Sequence, residues 1–252
     1  MKVIGTVLGS GAASLLALVV TAGTAAGQAT PAPATTQPLA AAAPTPIPIG
    51  TTTVKLPEPR RTSATSLEQA LLGRQAPRRF GAAPLTLEEV GQLLWAAQGI
   101  TGTGRRAAPS AGALYPIEVI LVAADVTGLP PAVYRYRPAT NDLVRIAEGD
   151  RRPAIAEACH FPPLVDAPAI FVLTGIEART AKVYGPQAPK LVALEAGAAS
   201  QDLSLEAVAL DLGCGMMVEF EQAKLEKAAA VGPGETPYTV FVVTRLEPQA
   251  AH

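Results

Sequence analysis

Histidine is nearly absent from this 252-residue chain: it occurs at His160 and at the last position, His252. A His-rich zinc site is thereby excluded, and a Ser-His-Asp triad would have to use His160. No Gly-x-Ser-x-Gly elbow is present, nor a Walker motif, and Gly99-x-x-Gly102-x-Gly104 lacks the spacing and the preceding strand of a dinucleotide fingerprint. The two cysteines, Cys159 and Cys214, have no metal-ligand spacing. They could pair in an oxidising compartment or stay separate as buried thiols, since each sits in apolar sequence. Charge of either sign is not in excess: 20 Lys+Arg face 21 Asp+Glu, a net charge of −1. Nothing here is basic enough to hold nucleic acid by bulk electrostatics. These absences leave no side-chain catalytic engine, which fits a protein whose hard chemistry is done by a cofactor.

The N-terminus reads as a targeting segment. Lys2 forms a thin positive region, Val3–Val20 is uncharged and rich in Leu, Val and Ala, and small residues follow in Thr24-Ala25-Ala26-Gly27. Residues 1–27 are expected to be a secretory signal peptide, cleaved near Ala26 or Gly27, which places the protein outside the cytoplasm (periplasmic or extracellular). An uncleaved anchor is the alternative; beyond this segment no membrane association is expected. Residues 28–53 are mostly Ala, Pro, Thr and Gln, and prolines at 31, 33, 38, 44, 46 and 48 preclude a packed helix. They read as a disordered tether. Residues 54–247 remain, the usual size of one domain.

Within that domain, Val54–Pro57 looks extended. Ser66-Leu67-Glu68-Gln69 and Thr86-Leu87-Glu88-Glu89 are capping boxes. The first predicts a helix to about Arg74. The second opens a helix with Leu87, Val90, Leu94 and Ala97 at helical spacing and Trp95 expected against the core. Gly99–Ser110 reads as loop. Ile117–Ala123 and Ala169–Leu173 read as buried strands, and residues 132–147 as a hairpin about Asn141-Asp142. Lys190–Leu212 has no proline, is dense in Ala and Leu and is apolar almost all round, which predicts a central buried helix. A short helix near Glu221–Ala229 and a strand over Tyr238–Val243 follow. Strands and helices mix without regular alternation, an α+β pattern.

Two segments carry polar chemistry. Arg74-Gln75-Ala76-Pro77-Arg78-Arg79-Phe80 places three guanidiniums close together, and a guanidinium fork matches phosphate oxygens bidentately. Taken alone, a solvated basic turn is the better explanation. Ala108-Pro109-Ser110-Ala111-Gly112-Ala113-Leu114-Tyr115-Pro116 combines small residues, which let backbone approach a flat ligand, with a hydroxyl at Ser110.

Together these segments resemble a known family. Arg74–Phe80 resembles the R-R-S-x-R-x-F segment with which nitroreductase-type flavoproteins bind FMN. Pro109–Pro116 is similar to the P-S-A-G-A-L-Y-P signature of the SagB-type dehydrogenase branch, which includes peptide-azoline dehydrogenases. Lys55–Pro59, Leu93–Ile100, Val133–Tyr136, Asp166–Ala169, Tyr184-Gly185 and Leu194–Gly197 match the same branch in order.

The resemblance implies a mostly antiparallel sheet flanked by helices, with a long central helix, built as an intertwined homodimer with FMN at the interface. It implies two-electron transfer through the flavin on a small-molecule or modified-peptide substrate. It assigns the FMN phosphate and ribityl chain to Arg74 and Arg78, with Gln75 and Ala76 in the same motif. Ser110, Ala111 and Gly112 fall in the loop that reaches the flavin of the neighbouring subunit. Met217 and Val218 fall in the Gly215–Glu219 segment along the isoalloxazine ring, and Arg245 where a second phosphate-binding cation stands. No metal is implied.

The chain also departs from the pattern. Ala76 replaces the usual serine, Gln75 an arginine, and Val218 and Glu219 the usual glycines. After Leu194–Gly197 the family's His and Gln-Asn are absent; Ala198-Ala199-Ser200-Gln201-Asp202 stands there. Glu219 brings a carboxylate towards the flavin, which opposes the anionic reduced form unless it points away. The alternative function is a non-catalytic binding protein on the same scaffold in the cell envelope. A hydrolase reading would need Ser110 and His160 adjacent.

Overall fold

The computed structural model describes residues 52–77, 80–81 and 83–246. The expected signal peptide and nearly all of the expected tether lie outside them, as does Arg78. Both capping boxes close. At Ser66 the hydroxyl accepts from the Gln69 N–H (3.2 Å) while the Gln69 side chain accepts from the Ser66 N–H (2.8 Å). At Thr86 the Glu89 carboxylate plays the same part, with the same two distances.

The chain opens with β1 (Thr53–Lys55), so pairing begins at the last residue of the expected tether. It continues with α1 (Leu67–Gly73) and α2 (Leu87–Gln98). The segment expected as loop folds into a small hairpin, β2 (Ile100–Gly102) and β3 (Arg105–Arg106), about the left-handed Gly104. Next come β4 (Ile117–Ala123), β5 (Ala132–Arg137) and β6 (Asp142–Glu148), the last two joined as expected through Asn141. Then follow α3 (Arg152–Ala158), β7 (Ala169–Gly175), α4 (Glu177–Tyr184) and α5 (Ala188–Ala209). The described chain ends with β8 (Leu212–Met217), α6 (Gln222–Ala228) and β9 (Thr236–Arg245).

Seven strands form one antiparallel sheet in the order β1-β6-β5-β4-β7-β9-β8. Successive side chains of a strand point to opposite faces, and the central strands are apolar at nearly every position, so each face has its own core. Val119, Leu121, Phe171, Leu173 and Phe241 pack with α2 and α5. Ile120, Val122, Ile170, Val172 and Val240 pack with α3 and α6. Cys214 belongs to the first core and Cys159 to the second; both thiols are free. Among the described residues no helix is long and apolar enough to cross a membrane.

Three expectations need correction. Trp95 is half-buried rather than in the core; the Arg61 guanidinium lies 5.1 Å from its ring centre. The long helix ends at Ala209 rather than Leu212, because residues 212–217 pair with β9 as an edge strand. Nor is that helix buried all round in the single chain. Val192, Ala196, Ala199, Leu203 and Ala207 face the sheet, while Ala193, Leu194, Gly197 and Gln201 are exposed.

Candidate functional site

The first part of the site is a cleft between the segment after α1, one flank of α5 and the edge strand β8. Helix α1 stops at Arg74, whose N–H still donates to the Ala70 carbonyl (3.1 Å) while its own backbone turns extended. Pro77 lies within three residues and cannot continue a helix. The cleft encloses about 260 Å³. Arg74 and Ala76 line it from one side, Gly197, Ser200, Gln201 and Ser204 from α5, and Cys214, Gly215 and Met216 from β8.

Its lining is one-signed. Arg74 is exposed and has no carboxylate partner among the described residues, and no carboxylate lines the cleft. The two serines bond to α5 itself: Ser200 donates to the Ala196 carbonyl (2.8 Å) and Ser204 to the Ser200 carbonyl (3.0 Å). Burial pushes the Cys214 thiol up, against contacts with Ser204 and Arg74 that pull it down, so the thiolate is disfavoured. A Cβ on Gly197 would meet nothing within 4 Å, and one on Gly215 would meet only Val242, at 3.5 Å. Both glycines therefore leave room for a flat or extended ligand. Strand β8 pairs on one side only, so half of its backbone N–H groups have no partner in the sheet.

The second part is the loop before β4. Glycine is needed at 112, where φ is +61°, but Ala113 (+54°) and Tyr115 (+47°) are also left-handed. Such backbone costs on the order of 1–3 kcal/mol per non-glycine residue and persists only where the surroundings over-determine it. They do so here. The Tyr115 N–H donates to the Ser110 hydroxyl oxygen (2.8 Å), and the Tyr115 hydroxyl donates to the Gly104 carbonyl (3.1 Å). The Arg179 guanidinium donates to the Tyr115 carbonyl (2.9 Å), and Arg106 stacks 4.8 Å from the Tyr115 ring centre. The Ala111 N–H donates to the Glu195 carboxylate (2.8 Å). Burial raises the Glu195 carboxyl, and hydrogen bonds from the Ala111 N–H and the Ser110 hydroxyl oppose that rise. Ser110 is thus engaged within its own chain.

Among the remaining expected residues, Gln75 is exposed beside the cleft. Met217 is half-buried against the second core, so its neighbour Met216 is the one that lines the cleft. Val218 and Glu219 are exposed just beyond β8. Arg245 lies outside the cleft, where its guanidinium holds both oxygens of Glu89 (2.7 and 2.8 Å) and ties the end of β9 to the start of α2. A larger hollow of about 330 Å³ lies near that clamp, but Glu88, Glu89 and Asp211 line it beside Arg60, which ill suits an anion. His160 is exposed, left-handed and 3.2 Å from Glu221, while the Ser110 hydroxyl accepts from the Tyr115 N–H on the other side of the sheet. They form no dyad. No group among the described residues could hold a metal ion.

Ser204 went unread in the sequence, and Glu195, Gly197, Ser200 and Gln201 entered only through the resemblance, without a role in the site. The spacing 197, 201 and 204 marks one helical flank, but only once the helix has a known inner face.

Comparison with known proteins agrees with this architecture. The family model described as the nitroreductase family matches residues 71–243. A protein of Methanocaldococcus jannaschii that carries the nitroreductase name is 35% identical over 149 residues, which is 58% of this chain and 75% of that protein. A crystal structure from Ralstonia eutropha, named likewise, has a TM-score of 0.69 at 26% identity over 78% of this chain and 90% of that one. A Desulfovibrio desulfuricans structure described as a nitroreductase in complex with FMN has a TM-score of 0.53 at 19% identity, over 74% of this chain and 89% of that one.

Proposed function

The chain belongs to the nitroreductase family of oxidoreductases, and from that premise we propose that it binds FMN in the Arg74 cleft as a homodimer. The observation that carries the proposal is the cleft itself: a guanidinium with no carboxylate partner among the described residues, two glycines that leave open space and an edge strand converge there. That donor set fits a phosphate, a ribityl chain and a planar ring. Bound FMN would supply two-electron transfer. Arg74 grips the phosphate, and the resemblance adds Arg78, which lies outside the described residues; Gly197 and Gly215 admit the ligand; Met216 gives an apolar bed; β8 offers backbone donors.

The dimer reading has its own support. Glu195 stands roughly 140–240° around α5 from Gly197, Ser200, Gln201 and Ser204, at 3.6 residues per turn. The loop that Glu195 holds is therefore on the opposite flank from the cleft. A complete site then takes the cleft of one copy and the loop of another. Leu194 (62% exposed), Leu72 (87%) and Val218 (64%) supply apolar surface for such a contact.

The ordered motifs favour the SagB-type branch, and with it a small molecule or modified peptide as substrate. Residues 1–27 favour export, with FMN taken up after translocation. Purified protein titrated with FMN should turn yellow and release FMN on denaturation. Arg74→Ala should weaken binding about 10- to 100-fold, the loss of a charge-assisted hydrogen bond of about 1.5–3 kcal/mol. A colourless protein that takes up no added FMN would leave the non-catalytic reading standing instead.

A further inference from the structure

We propose that Glu195 is a positioning residue acting in trans: it fixes the Ser110–Gly112 loop of its own chain in the shape required by the flavin cleft of the neighbouring copy. This assignment rests on the FMN-binding homodimer proposed above.

Glu195 is 7% exposed, and no cation among the described residues pairs with it. A carboxylate buried on those terms is costly, and a leucine would fill the position at no such cost. What it gains is the Ala111 N–H at 2.8 Å. That contact stands just before the backbone departs from ordinary geometry, at Gly112 and Ala113, with Tyr115 beyond them. Ser110 closes the loop by accepting from the Tyr115 N–H at 2.8 Å. The Tyr184 hydroxyl bounds the other side, 3.3 Å from where a Cβ on Gly112 would stand. Without Glu195 the Ala111 N–H loses its partner and the left-handed turn loses a tether. The flank geometry gives this its direction: residues two to nine positions further along α5 line the cleft of the same chain, on the far side of the helix. A lesion at 195 therefore damages the neighbour's site and spares the cleft on its own chain.

Mixed dimers test this. Glu195→Ala and Arg74→Ala chains carry different tags, and FMN binding is titrated by flavin fluorescence on each homodimer and on the doubly tagged heterodimer. Each homodimer should bind FMN at least about tenfold more weakly than wild type at both sites. The heterodimer should regain one site of wild-type affinity, because one of its sites carries both lesions and the other carries neither. Glu195→Gln, whose amide oxygen can still accept from Ala111, should fall between wild type and Glu195→Ala. It replaces the alanine variant in the mixed dimer if that variant does not fold. A heterodimer without a wild-type site overturns the assignment, as do Glu195 variants that bind FMN like wild type. A wild-type chain that takes up no FMN overturns the reading beneath it.

Discussion

At Asp202, on the α5 flank shared with Glu195, burial alone raises the carboxyl from 3.8 to about 6. The folded chain holds that proton more tightly than the unfolded chain does. Stability is therefore lost as pH climbs from the ordinary carboxylate range through about 6. Asp202→Asn should accordingly stabilise the protein by on the order of 1 kcal/mol at pH 8, allowing for solvent screening of a part-exposed group, and by little at pH 4. Urea midpoints at the two pH values check this; equal gains at both would assign the effect to packing. Single residues were unevenly legible in the sequence. Arg74 could be picked out because guanidiniums are conspicuous in an apolar chain. Glu195 could not, since a glutamate in a helix ordinarily faces water and its burial depends on a loop some 80 positions earlier. The cysteines were undecidable in sequence, because the two faces of the sheet that separate them are a property of the assembled strands.

At the level of elements, local signals succeeded wherever they were chemically complete. Ser66 with Gln69, and Thr86 with Glu89, start their helices where the sequence places them. Thr86→Ala should cost about 1 kcal/mol, a fall in Tm of about 2–4 °C for a domain of this size, readable by thermal circular dichroism. An unchanged Tm would mean that Glu89, which still accepts from the backbone N–H at 86, holds the helix start without the hydroxyl. Some elements without such signals were missed, though α6, equally short and without a side-chain cap, was not. Helices α3 and α4 have seven and eight residues, too short to show a period. Strand β8 contains two glycines and a cysteine and follows a strong helix; only pairing with β9 makes it a strand.

For the whole molecule, the exposed apolar side chains and the division of the site across α5 point the same way. Leu194→Asp places a charge amid the surface proposed to join two copies. It should shift the protein towards monomer in light scattering and weaken FMN binding in step. A monomer that keeps wild-type FMN affinity would place the whole site within one chain. The fold itself was largely legible, because apolar runs and cap signals fix which segments are strands or helices. The cleft was not, because it joins residues 74, 197 and 215, which meet only when the sheet is complete.

Strand order also governs how the molecule is made. Strand β9, translated after all the others, lies between β7 and β8. Until residues 236–245 join the sheet, β7 shows a bare apolar edge and β8 has nothing to pair with. A chain short of its last strand is an open sheet, a form that invites edge-to-edge association. The last strand closes both cores and holds β8 in place beside the cleft, so the proposed flavin site cannot form before the sheet is whole.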